Sequence, residues 1–365
     1  MIFNAAVTTG IVCRPNCPPG RRTKSENRKY FKSLNEAYDE GFRDCLVCKP
    51  SEGIPGPWIS KSKKKIMNKD KFQNINKDEF APHLINVELV ENLISDQFPE
   101  YAHLPVSSVE KQGHDNRTFR LGNDMLVRIP SAQYYALKVP KEQKLLPLIK
   151  PYLSVDIPEP IKLGNPSYYY PFNFSIYKWL EGTSANLIAF DDKSLKTIAV
   201  QLAKFLNELH GIQGVNGPSP GKHNGWGGDH VSVYDHGARK QITELSGIID
   251  QNKAIELWEQ ACKTKPNKKP MWIHGDFAFG NFLIKDGALS AVIDFGGMAI
   301  GDPASDLVIA WTFLKDRSRE IFIESMDYDS DTWLRARGWA LWKATFELCQ
   351  TKDKNNPYAV KQKQI

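Results

Sequence analysis

Apolar residues recur along this chain at two spacings, and the balance between them shifts near the middle. In "HLINVELVENLISDQF" (83–98), Ile85, Leu89 and Leu93 fall on one face at helical spacing, which predicts a helix. "SVEKQGHDNRTFRLGNDMLVRIP" (108–130) is broken by a Gly-containing turn and a Gly-Asn turn, and predicts three strands. "KEQKLLPLI" (141–149) suits a helix, and "PFNFSIYKWLEGT" (171–183) a strand ending at Gly182. From residue 194 the pattern turns helical: "SLKTIAVQLAKFLNELH" carries Leu195, Ile198, Leu202, Phe205, Leu206 and Leu209 along one stripe. A sheet-rich part with one helix therefore precedes a helix-rich part. Residues 51–80, "SEGIPGPWISKSKKKIMNKDKFQNINKDEF", show little periodicity and much Gly, Pro, Lys and Asn, and read as a linker. No internal repeat interrupts this order.

Composition changes the picture mainly at the N-terminus. With 365 residues, 41% hydrophobic and 25% charged, the chain reads as an ordinary globular protein of two or three folding units. No stretch reaches the length of an apolar membrane span. "MIFNAAVTTG" has neither a basic leader nor a cleavage pattern, so the expectation is a cytoplasmic protein without membrane contact. Residues 1–77 hold 16 Lys+Arg against 7 Asp+Glu, a charge of +9, whereas residues 78–365 hold 32 against 35, a charge of −3. The basic segment is either a contact for phosphate backbones or a solvated face with a Lys-rich linker. The oligomeric state is not legible.

The chemistry concentrates at two places. "HGDFAFGN" (274–281) has the H-x-D-x-x-x-x-N spacing of a kinase catalytic loop. A hydroxyl acceptor needs a carboxylate within hydrogen-bond reach, and a metal on phosphates needs a nearby uncharged oxygen; a tight loop brings Asp276 and Asn281 to one opening. The following "FLIKDGALSAVIDFGG" reads as strand, Asp-Gly turn, strand. That hairpin returns Asp294 to the same place. Asp276 is thus the expected base, with Asn281 and Asp294 as ligands of Mg²⁺.

Together with "NRTFRLGNDMLVRIP", "KEQKLLP", "YKWLEG" and "GDPASDL", these motifs resemble the aminoglycoside phosphotransferase family in family order over about residues 80–350. The resemblance implies an α+β, bilobal protein-kinase-like fold with a sheet-rich N-lobe (81–182) and a helical C-lobe (183–365). It also implies ATP or GTP in the cleft, transfer of the γ-phosphate to a small-molecule hydroxyl, and antibiotic resistance as associated biology. On the matching positions, Asp306 braces the catalytic loop and His274 organises it. Glu142 pairs with the phosphate-binding cation, and Tyr177 to Leu180 form the hinge at the base. The family's Lys is replaced by Arg128, which as a planar fork can still bridge phosphate and Glu142; Lys138 is the alternative cation. The turn from Gly113 to Asn116 would cover the phosphates. For the acceptor, the acidic run "ESMDYDSD" (324–331) is either a cation-binding lining or a solvated face, and "HNGWGGD" (223–229) a pocket-shaping loop.

The second place is the cysteine quartet, Cys13-x3-Cys17 and Cys45-x2-Cys48. Two close pairs far apart in sequence predict a tetrahedral Zn²⁺ site, with disulfides as the alternative; Cys262 and Cys349 read as packed thiols. "AVTTGIVCRPNC", "SENRKYF" and "EAYDEGFRDCLVC" resemble the zinc-binding domain of Ada-type methylphosphotriester repair proteins. That resemblance implies a small α/β domain (1–52) ahead of the linker (53–80). It implies DNA as a partner, Cys13 as methyl acceptor, and Cys17, Cys45 and Cys48 as lasting ligands. Arg14, Arg21, Arg22 and Arg43 are the expected phosphate neighbours. Asp44 stands where Pro is usual, and no helix-turn-helix pattern follows. The rival to an active kinase is an alkylation-damage sensor whose kinase-like part is regulatory, a reading that Arg128 keeps open.

Overall fold

The alternating stretches form sheets and the 3.6-spaced ones form helices, as their side-chain periods require. This computed structural model describes residues 3–15, 17–52, 58, 82–110, 112–113, 115–167, 170–355 and 363. The chain divides into two units, Met1–Val139 with Ile161–Tyr177, and Pro140–Pro160 with Lys178–Ile365.

The first unit opens with four short strands, β1 (Phe3–Ala6), β2 (Ile11–Cys13), β3 (Arg28–Phe31) and β4 (Arg43–Asp44), in the order β3-β1-β2-β4. Helices α1 (Pro18–Arg22) and α2 (Leu34–Asp39) lie between them in sequence, and Ser33 caps α2 by accepting from the Glu36 N–H. The apolar core here is Phe3, Ala5, Val12, Phe31 and Ala37. So few buried side chains cannot stabilise a fold alone, which gives the neighbouring cysteine cluster its structural weight. Most of the expected linker, 53–80, lies outside the described residues. Trp58 is an exception: its N–H donates to Pro15 O at 2.9 Å and its indole N–H to Val47 O at 3.2 Å.

Later in the same unit, Asn86 caps α3 (Val87–Gln97) by accepting from the Leu89 N–H. The predicted apolar face is buried, with Leu89 8% and Leu93 0% exposed. Five strands follow in the order β5-β6-β7-β9-β8: β5 (Val106–Ser108), β6 (Asn116–Leu121), β7 (Met125–Pro130), β8 (Pro160–Gly164) and β9 (Phe174–Lys178). The last strand is shorter than the pattern predicts. Pro171 has no N–H to give a ladder, and the Asn173 side chain donates to Gly164 O at 3.0 Å.

The second unit holds α4 (Val139–Ile149), β10 (Thr183–Ser184), α5 (Asp192–His210), α6 (Asp235–Glu244), α7 (Gln251–Lys263), β11 (Met271–Ile273), β12 (Phe282–Lys285), β13 (Ala288–Val292), β14 (Ala299–Gly301), α8 (Asp316–Glu324) and α9 (Ser330–Gln350). Asp191 starts α5 by accepting from the Ser194 N–H at 2.7 Å. The β12–β13 hairpin turns through Asp286 (φ +53°) and Gly287 (φ +78°). Two left-handed residues are what a two-residue hairpin of this hand requires.

Candidate functional site

The loop after β11 is anchored from below by rings. Phe277 stacks on Phe205 of α5 at 5.8 Å and Phe295 meets Phe205 edge-on at 6.5 Å. These two phenylalanines belong to "HGDF" and "IDFGG", so each motif buries its own anchor, and both rings are fully buried. From the side, Asp306 accepts from the His274 N–H at 2.7 Å and the Gly275 N–H at 2.8 Å. His210 Nε2 lies 3.2 Å from the same carboxylate. His274 Nε2 donates to Ile293 O at 3.0 Å, and its Nδ1 accepts from the Asp276 N–H at 3.3 Å. Both ring nitrogens are therefore committed to holding backbone, which makes His274 an organiser of the loop.

Backbone contacts then bring the two acids together. The Ile293 N–H donates to Asn281 O at 2.9 Å, which sets Asp294 beside Asn281. Asn281 Nδ2 donates to Asp276 O at 3.0 Å and reaches its Oδ2 at 3.5 Å. With its nitrogen so turned, the amide oxygen of Asn281 is the atom left for a hard cation. Asp294 sits at φ +66°, a left-handed conformation costly for a residue with a side chain. The two loops touch: a Cβ on Gly275 would lie 2.2 Å from Gly297 O. Backbone bonds thus place Asn281 and Asp294, an amide and a carboxylate, next to each other, and Asn281 contacts Asp276; oxygen donors of this kind fit Mg²⁺.

Two lysines at this site were not foreseen from the sequence. Lys343 Nζ, from α9, donates to Asp276 Oδ1 at 2.9 Å. Burial pushes the Asp276 carboxyl up, but the Lys343 ammonium outweighs it and holds the group below its usual range. Lys141 Nζ donates to Gly296 O at 2.7 Å and to Met298 O at 3.1 Å, fastening the segment after Asp294. Lys343 stands in no motif, and helical spacing on α9 could mark it only as facing inward; Lys141 opens "KEQKLLP", where the sequence drew attention only to Glu142.

The four N-terminal cysteines converge. Their sulfurs all lie within 4.8 Å of one another, and Cys17 Sγ is 3.8 Å from Cys45 Sγ. A Zn–S bond of about 2.3 Å in a tetrahedron gives an S···S edge of about 3.8 Å. The separation is far too long for a disulfide, and all four are free thiols, so the disulfide alternative falls. Hydrogen bonds from Cys13 and Cys17 bring the Cys48 thiol down to about 3, while those to Cys17 and Cys48 push the Cys13 thiol up. The Arg14 N–H also donates to Cys48 Sγ at 3.2 Å. Four sulfurs this close are suited to a cation that replaces the thiol protons. Arg14 itself corrects an expectation: it is 8% exposed, and its guanidinium donates to Pro50 O at 3.3 Å and to Glu52 O. Its guanidinium clamps the backbone around the cysteine pairs, where a surface residue would have been open to a phosphate. Arg21, Arg22 and Arg43 are exposed.

Comparison with known proteins follows the same division. Residues 110–339 match the model of the phosphotransferase enzyme family. The chain belongs to that family. Residues 1–51 match the metal-binding domain of Ada. The regulatory protein ada of Salmonella typhimurium is 41% identical over 46 residues, 13% of each chain. An aminoglycoside 3'-phosphotransferase of Escherichia coli is 26% identical over 148 residues, 38% of this chain and 51% of that one, so this chain spans only about half of its length. Among solved structures, the GDP complex of wild-type aminoglycoside 2'-phosphotransferase-IIIa superposes with a TM-score of 0.58 at 23% identity, over 76% of this chain and 96% of the other. A macrolide 2'-phosphotransferase type I superposes at 0.52 and 16% identity, over 78% and 97%. These likenesses establish the protein-kinase-like fold.

Within this phosphotransferase-family chain the remaining expected residues are placed as follows. Arg128 lies on β7, and an Asn116 amide with its oxygen turned that way accepts from it at 3.1 Å. Glu142 lies on α4 and is 3% exposed. Lys138, the alternative cation, is 3.5 Å from Asp115 and sits over the Tyr134 and Tyr135 rings. The Tyr177 side chain is buried, while Leu180 is half-buried. The acidic run is largely engaged in structure: Asp329 caps α9 by accepting from the Thr332 N–H at 2.7 Å, Asp327 pairs with Lys268, and Glu324 pairs with Arg317. No described helix is long and apolar enough to cross a membrane.

Proposed function

We propose that this chain transfers the γ-phosphoryl group of ATP or GTP to a hydroxyl of a small molecule. The observation that carries the reading is the convergence of Asp276, Asn281 and Asp294 through the Ile293–Asn281 hydrogen bond and the Gly275–Gly297 contact. Asp276 orients the acceptor hydroxyl and takes its proton as the new O–P bond forms and the bond to the nucleoside diphosphate breaks. Asn281 and Asp294 are the residues that would hold Mg²⁺, which when bound would supply neutralisation of charge on the phosphates. Arg128 and Glu142 are assigned to the nucleotide phosphates, and Tyr177 to Leu180 to its base. The proposal includes domain limits of 1–52, a linker over 53–80, and 81–182 and 183–365 for the two lobes.

The test is turnover of labelled ATP and GTP by the full chain. Asp276→Asn lowers the rate by about 10²–10³-fold, and Asp294→Asn abolishes Mg²⁺-dependent nucleotide binding. Wild-type protein that neither hydrolyses nor transfers would sink this reading in favour of a regulatory, kinase-like domain. That rival is favoured by Arg128 in place of lysine and by the Lys343–Asp276 pair in the free protein.

For the N-terminal module we infer a Zn²⁺ site at Cys13, Cys17, Cys45 and Cys48 that contacts DNA through Arg21, Arg22 and Arg43. Zn²⁺ keeps its ligands as thiolates. The Cys13 sulfur then attacks the methyl carbon of a methylated phosphate, the C–O bond breaks, and an ordinary phosphodiester anion leaves. Mass spectrometry after exposure to methylphosphotriester DNA is expected to find one methyl group, on Cys13; an unmodified chain rules out the transfer.

A further inference from the structure

Any hydroxyl that reaches Asp276 also arrives beside an ammonium group. Lys343 Nζ is 2.9 Å from Asp276 Oδ1, and its side chain is 31% exposed. Burial works against its charge, but Asp276 outweighs burial and keeps it protonated. Glu347, one turn further along α9, adds to the same effect. An acceptor bearing several ammonium groups would meet like charge at the very point where its hydroxyl must dock. Within the acidic run, Asp329 caps α9 while Asp327 and Glu324 pair with Lys268 and Arg317, and Asp235 is held by Arg239 and the Trp258 indole.

The loop at 223–229 carries the second observation. Gly227 packs on the catalytic loop, since a Cβ there would lie 3.0 Å from Gly275 O. Its neighbour Trp226 stands at φ +61° and is 41% exposed. A bulky residue in the left-handed region is an outlier whose strain points toward function. Tyr234, Trp339, Trp342 and Phe346 pair with one another, and Trp226 enters none of those pairs. An exposed indole beside a catalytic loop offers a flat face for a sugar or ring.

We propose that the acceptor is an anionic hydroxyl compound with a flat sugar or ring face. Its phosphate or carboxylate pairs with Lys343 and releases Asp276 Oδ1 for the hydroxyl, while its face lies on Trp226. The inference rests on the phosphotransferase reading of the same site. Lys343 is thereby the residue that selects the charge of the substrate, and polycationic aminoglycosides are disfavoured.

Calorimetric titration of the full chain tests it with four probes: glucose 6-phosphate, glucuronate, glucose and the polycation kanamycin. At least one of the two anions should bind about tenfold or more tightly than glucose, and kanamycin more weakly than that anion; which anion leads separates phosphate from carboxylate recognition. Lys343→Gln should erase the preference, Lys343→Arg should retain it, and Trp226→Ala should weaken every sugar alike. Tighter binding of kanamycin, no binding of either anion, or an undiminished preference in a folded Lys343→Gln protein overturns the proposal. Nucleotide hydrolysis without acceptor is read in parallel. Absence of both hydrolysis and transfer to any acceptor would count against the phosphotransferase reading, whereas the titrations judge the acceptor class.

Discussion

Asp276 carries the catalytic role in this reading, and its ionisation is set by neighbours from several elements. Burial raises its pKa, Lys343 lowers it, Asp294 raises it and His274 lowers it, with a net value below the ordinary carboxylate range. A depressed pKa keeps the base charged to lower pH, so activity falls only when pH drops through that value. Removing Lys343 deletes the largest lowering influence and leaves burial and Asp294 in place. The acidic limb of the kcat/KM profile for nucleotide turnover should therefore move to higher pH in Lys343→Gln. An unmoved limb would show that the pair has no hold on the base.

Between elements, the site is a set of loops tied to helices. Asp302 and Arg335 form a buried pair at 2.5 Å that fastens α9 to the segment after β14, and Asp306 four residues on fastens that segment to His274 and Gly275. The register of α9, and with it the reach of Lys343, is thus fixed through the same short stretch that fixes the catalytic loop. Gly275 is the tightest point, with φ +80° and no room for a Cβ against Gly297 O. Gly275→Ala is expected to cost about 2 kcal/mol or more in chemical denaturation and to abolish turnover by parting the loops. Wild-type stability and rate in that variant would contradict the contact.

For the molecule as a whole, two kinds of stabilisation occur in one chain. The second unit buries a large aromatic and aliphatic core, including Phe205, Phe277, Phe282 and Phe295, whereas the N-terminal module has a five-residue core and four clustered thiols. Chelation should accordingly make the first fifty or so residues sensitive to protease while nucleotide hydrolysis persists, because a small module depends on its metal and a large core does not. Loss of hydrolysis in step with zinc release would overturn this expectation of independence.

Element types, the joining of the 274–281 loop to Asp294 by a hairpin, and the cysteine quartet were readable from the chain because each depends on local spacing: helical and alternating periods, an Asp-Gly turn, and cysteine pairs two or three residues apart. Tight hairpins and close pairs leave the backbone few alternatives, so short-range pattern suffices. The Lys343–Asp276 pair, the Lys141 bonds to the loop after Asp294, the burial of Arg14 and the use of Asp329 as a helix cap were settled only by folding. Each joins or separates residues according to how whole helices and loops pack, and a lysine or arginine carries the same letter whether it meets solvent, a carbonyl or a catalytic carboxylate.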